Sequence, residues 1–153
     1  MRFINFAWWT TYIIIAIILQ KFVHGVDFLL PGLIVALQER KIVQFLVVIV
    51  SFILIQEGTG TMPFGNIFLW YFVVIIFFYA WQWFFEVESF IFILLLSIAL
   101  SISHYLIISI LSDIQDIYIN SRELQDECVY QVFITPLMWH LANYLRKGIR
   151  RAA

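Results

Sequence analysis

His104 and His140 are the residues best suited to chemistry in this chain, because each sits inside a long apolar run. An ionisable ring in such a place is costly and marks a candidate ligand, relay or hydrogen-bonding group. At about 1.5 Å of rise per residue, His104 would lie about 12 Å and His140 about 18 Å from the outer ends of their helices. Axial ligation of a haem by two facing imidazoles is open on that count. Neither histidine, however, belongs to a ligand-spacing motif. A histidine in a helix bundle also hydrogen-bonds a neighbouring helix, and packing is the preferred reading. No metal and no cofactor is expected.

Ser97, Ser101 and His104 share one helical face, and Tyr105, Ser109, Ser112 and Asp116 follow a neighbouring stripe. Hydroxyls at this spacing let helices approach closely and bond across the interface. A polar translocation path would use them too, but would usually need buried charge, and here charges cluster at the ends of the runs. Pro136 interrupts another run and joins the same set of packing residues, since a proline is tolerated where neighbours re-satisfy the freed backbone. Cys128 is the single cysteine, so an intramolecular disulfide and a thiolate cluster are both ruled out. The connector from Glu57 to Gly65 contains Gly58, Gly60, Pro63 and Gly65. It is no nucleotide fingerprint, because no strand precedes it and no Lys-Ser/Thr follows. It reads as a rigid reversal, with Glu57, Gly58, Gly60, Pro63 and Gly65 as the candidate contact surface for a partner.

The elements that must position these residues follow from composition. The chain of 153 residues is 63% hydrophobic and 12% charged, against about 45–50% and about 25% for soluble domains. No water-exposed fold of this size could bury so much apolar surface. The expectation is one all-α transmembrane domain over 1–153, a six-helix bundle with spans at about 6–23, 28–38, 42–56, 66–85, 89–112 and 128–145. With both termini cytoplasmic, Arg2, Arg40, Lys41, Arg146, Lys147, Arg150 and Arg151 fall inside and only Lys21 and Arg122 outside. Merging the second and third runs would bury Glu39, Arg40 and Lys41 near the midplane, so six spans are preferred. Trp8, Trp9, Trp81 and Trp83 fall near the inner ends of spans and read as an interfacial belt. The first run is longer than a signal-peptide core and carries no Ala-x-Ala site, so it is expected to remain as a span. The longest polar stretch, Asp113 to Glu127, is only a loop's length and leaves no room for a soluble catalytic module.

In order, these features resemble the MreD family, small integral membrane proteins of the bacterial rod-shape machinery. In that family a short third span ends in an acidic residue, followed by a glycine-containing turn that closes in an apolar-Gly pair. Glu57 stands here where the family tends to have Asp, and Phe64-Gly65 follows at the matching distance. The last span is similar too, with Thr135-Pro136-Leu137-Met138-Trp139 ahead of Arg146-Lys147. Thr61 stands where the family commonly has its first loop glycine. The resemblance implies a fold similar to the substrate-binding components of energy-coupling-factor transporters. It also implies a non-catalytic scaffold of cell-wall elongation in the bacterial inner membrane. Its partners would be an MreC-like protein, the wall synthases and the lipid bilayer, with no nucleic acid. Two rival expectations are a vitamin-type binding or transport component and a haem- or quinone-site redox subunit.

Overall fold

A computed structural model describes residues 2–23, 25–58 and 65–152, and among them the fold is all-α, with six helices and no strand. The helices are α1 (Arg2–Phe22), α2 (Leu30–Gln38), α3 (Ile42–Gly58), α4 (Asn66–Trp81), α5 (Phe90–Ile114) and α6 (Ser121–Ala152). Segments of α1 (Ile4–Phe22, 19 residues) and α5 (Phe90–Ile114, 25 residues) are long and apolar enough to cross a bilayer. α3 and α4 are equally apolar but shorter, at 17 and 16 residues.

The smallest helix holds the centre. Leu30 to Leu37 of α2 are all buried, so this helix is apolar on every side, as a helix enclosed by others must be. It packs on α6 and α3, while α5 packs most extensively on α6 and also on α4. α1 approaches α2 where Gly32 leaves room: a Cβ there would collide with the ring of Tyr12. The core joins Tyr12 and Ala16 of α1, Phe52 of α3, Trp70 and Val74 of α4, and Phe92 and Leu96 of α5 around α2. The outward faces are apolar as well, with Leu54, Phe68, Ile102, Phe133 and Leu137 all well exposed.

Several helix ends differ from the sequence expectation: α1 starts at Arg2 and not at residue 6, and α6 runs to Ala152, past residue 145. The fourth run was expected to reach Phe85, but α4 stops at Trp81, whose carbonyl accepts the N–H groups of Phe84 and Phe85 in a tight turn. α6 starts at Ser121, well before Cys128, so much of the expected polar loop is helical. Asn120 starts it: its carbonyl receives the Leu124 N–H at 3.1 Å and its side chain the Arg122 N–H at 3.2 Å. Glu123 in the first turn suits the positive end of the helix dipole. Pro136 lies buried inside α6, and the residue whose carbonyl it frees, Val132, is served by a neighbour. The Ser97 hydroxyl of α5 lies 3.1 Å from that carbonyl, sharing its hydrogen with Leu94 O at 2.8 Å.

Candidate functional site

Two polar clusters occupy opposite ends of the bundle. The first is built on Asp27, in the non-helical segment between α1 and α2. Asp27 lies two residues before Leu29, a spacing at which an aspartate side chain turns back on its own backbone. Its Oδ1 accepts the N–H groups of Leu29 at 2.9 Å and Leu30 at 3.1 Å, which satisfies the start of α2. Gln56 Nε2 of α3 donates to Oδ1 at 2.9 Å, and Trp70 Nε1 of α4 donates to Oδ2 at 3.3 Å. Gln131 of α6 clasps the Asp27 backbone: its Oε1 accepts the Asp27 N–H at 2.8 Å and its Nε2 reaches Asp27 O at 3.3 Å. The same Nε2 donates to Thr135 Oγ1 at 2.7 Å, one helical turn on. Tyr12 of α1 completes the group by donating to Phe28 O at 2.8 Å. One buried carboxylate thus ties the turn to α2, α3 and α4, and its own backbone to α6.

Extending from this end, Trp70 stacks on His104 of α5 with ring centroids 4.6 Å apart and planes at 29°. His104 is buried, and its Nε2 has no hydrogen-bond partner among the described residues. The Tyr71 hydroxyl is also enclosed, facing the Asp27 carboxylate and Gln56.

The second cluster is an ion pair. Arg146 of α6 donates from Nε to Glu39 Oε1 at 2.7 Å, with both side chains almost wholly buried. Its Nη2 reaches Glu39 Oε2 at 3.3 Å and also Asn5 Oδ1 of α1. Gln44 of α3 donates to Glu39 Oε2 and accepts from Asn5 Nδ2. The guanidinium lies over Trp8 and Trp9, 5.8 and 5.6 Å from the ring centroids. Beside it, Gln38 accepts the Trp139 indole N–H at 2.9 Å and donates to Val87 O. Lys147 and Glu88 form an exposed pair at the rim.

The residues singled out from sequence fall in several places. Glu57 brackets its own connector: its carboxylate accepts the Gly65 N–H at 3.4 Å and the Ile67 N–H at 3.3 Å, at the N-terminus of α4. Gly65 has φ +81°, a conformation glycine adopts without strain, and Gly58 ends α3 in open space. Gly60 and Pro63 lie outside the described residues. Ser97, Ser101 and His104 lie on the buried face of α5, whereas Ser109 is half-buried and lends its carbonyl to Ser112. Ser101 lines an open apolar groove of about 510 Å³ between α5 and α6, beside Tyr105, Gln125 and Cys128. The structure does not bring His104 and His140 together, since His104 faces Trp70 and His140 lies on an exposed face of α6. Trp8 and Trp9, expected in an interfacial belt, turn inward to Arg146, and their buried Nε1 atoms have no partner among the described residues.

Sequence reasoning passed over Asp27, Gln56, Trp70, Gln131, Glu39 and Arg146 as a set. A signal existed for Gln131 and Thr135, two polar residues one turn apart within an apolar run. Taken together, the fold and its clusters define an all-helical bundle whose buried polar groups join helices to one another. No protein-family model matches the chain, and comparison with curated proteins and with solved structures gives no match either.

Proposed function

We propose that the chain is a multi-pass scaffold of a bacterial inner membrane, with six spans and both termini cytoplasmic. In this reading it carries out no reaction. It binds an MreC-like membrane partner within the cell-shape and peptidoglycan elongation machinery.

The observation that carries the membrane part is the treatment of the non-helical segment ahead of α2. In hydrocarbon, irregular backbone is tolerated only where protein satisfies its polar groups. Asp27, Gln131 and Tyr12 do so here for the backbone of residues 27 to 30. That enclosure lets a helix of 9 residues serve where a lipid-exposed span would need about 20. The apolar outward faces of α3, α4, α5 and α6 support the same reading, because a water-soluble monomer rarely exposes such continuous patches. Arg40, Lys41 and Lys147 share one end with the Glu39–Arg146 pair, which agrees with a cytoplasmic placement.

The scaffold part rests on the resemblance and on where the polar residues are spent. Both clusters tie helices together, leaving helix faces and the Glu57–Gly65 connector as the surfaces a partner can meet. Depletion in a rod-shaped host should give rounded cells and loss of co-purification with an MreC-like protein. Gly58→Leu should weaken that capture more than Ser109→Ala, because Gly58 faces open space without backbone strain. A cysteine at position 120 should be labelled from outside and one at 148 should not. Cells that keep their shape but lose uptake of a small solute would replace the scaffold reading with a transport one.

A further inference from the structure

The turn between α2 and α3 carries two cations that no acid among the described residues answers. Glu39, the adjacent acid, is directed inward to Arg146 and Gln44. Arg40 and Lys41 are exposed, and neither forms an ion pair among the described residues. Arg40 has φ +53°, the left-handed region that usually falls to glycine just past a helix end. An arginine there costs about 1 kcal/mol of backbone strain, which a glycine would not carry.

These two residues form the polar rim of a groove of about 340 Å³ running between the turn and the end of α4. Ile42, Phe45 and Phe78 supply apolar wall, while Tyr79 and Gln82 add hydrogen-bonding groups. Among the described residues, Arg40 and Lys41 are its only charged lining residues. A double-cationic rim above an apolar slot complements one chemistry, an anionic headgroup with a hydrocarbon chain attached. We propose that this groove is a binding site for an anionic phospholipid, its phosphate between Arg40 and Lys41 and one acyl chain along Phe45 and Phe78. The proposal rests on the membrane reading above but not on any partner protein.

Native mass spectrometry of the detergent-purified full chain, titrated with phosphatidylglycerol or phosphatidylcholine of equal chain length, tests it. Phosphatidylglycerol should bind in preference. Arg40→Gln and Lys41→Gln should each weaken it about fivefold, the effect of one basic residue at a lipid surface, and Lys21→Gln should change nothing. Arg40→Gly is the decisive variant, because it relieves the backbone while removing the charge. Its thermal midpoint should hold or rise as lipid affinity falls. Equal binding of the two lipids, or full affinity in the Arg40→Gln/Lys41→Gln double variant, would overturn the site. So would equal competition by glycerophosphoglycerol or inorganic phosphate, which would mark an anion site without a chain seat. Failure in any of these ways leaves the scaffold reading standing. Loss of partner capture alone would sink the scaffold and leave the lipid site intact.

Discussion

The two ends of the bundle bury charge by opposite means. At one end the Asp27 carboxylate has no cation against it among the described residues; two backbone amides, an indole and a carboxamide hold it, with the Tyr71 hydroxyl beside it. At the other, Glu39 meets Arg146 directly, with Asn5 and Gln44 filling the remaining positions. The first device is half local, since two of its bonds come from the next turn of chain. The second is mostly long-range, Gln44 to Glu39 excepted, and closes only when α1, α3 and α6 have all arrived. The contrast bears on robustness. An ion pair can be exchanged for apolar residues if both partners change together. A carboxylate that serves backbone amides cannot be exchanged so, because those amides cannot be mutated away.

The largest expected effect follows at Asp27. Asp27→Ala strands the Gln56 and Trp70 donors and two N–H groups at the start of α2, each costing about 1–3 kcal/mol when buried. A loss above about 4 kcal/mol should keep the variant from accumulating as a monodisperse detergent-solubilised protein. Asp27→Asn keeps an acceptor for some of these donors and should fold with a lowered thermal midpoint. Wild-type behaviour of the alanine variant would break the comparison at its stronger side.

Next comes the ion pair, where the test is recovery. Arg146→Met leaves Glu39 buried without its counter-charge and should cost about 3–5 kcal/mol. Combining it with Glu39→Gln removes that charge and still offers Gln44 an acceptor, so most of the loss should return in a denaturant titration. Additive losses would mean that the pair's worth lies in packing against Trp8 and Trp9 rather than in charge compensation.

Gly32→Ala probes how the Asp27 end holds α1. The added methyl would drive the Tyr12 ring off α2, and with it the hydroxyl that donates to Phe28 O. Overpacking of this kind costs about 1–3 kcal/mol. Tyr12→Phe in the same background should then add little, because the bond it removes is already broken.

The helices were readable because runs of Leu, Ile, Val and Phe set them, and their breaks fall at Gly, Pro and charge clusters. Arg146 was read only as a cytoplasmic base and Asp27 was not singled out, because periodicity along one run does not say what stands opposite it. Gln131 and Asp27 are 104 positions apart, and Arg146 and Glu39 are 107 apart. Such pairings exist only once the bundle has closed. The inward turn of Trp8 and Trp9 was hidden for the same reason: their partner is Arg146, at the far end of the chain. Conversely, Glu57 was legible as a special position from its place before the glycines, and the structure adds that its carboxylate holds the start of α4.

The smallest effect is expected at Ser97, where a polar contact between α5 and α6 can be measured almost alone. Pro136 has no N–H to give Val132 O, and the Ser97 hydroxyl lies 3.1 Å from that carbonyl. Ser97→Ala removes the donor without opening a large cavity. Interhelical bonds in membranes average about 0.6 kcal/mol, so a loss of about 0.5–1 kcal/mol is expected in an unfolding titration. Pro136→Ala alone should restore the in-helix bond to Val132 O, after which Ser97→Ala should cost less than it does beside proline. The double-mutant cycle therefore carries a coupling of definite sign. If Ser97→Ala costs the same with and without Pro136, the hydroxyl serves only Leu94 O of its own helix and the α5–α6 contact is packing alone.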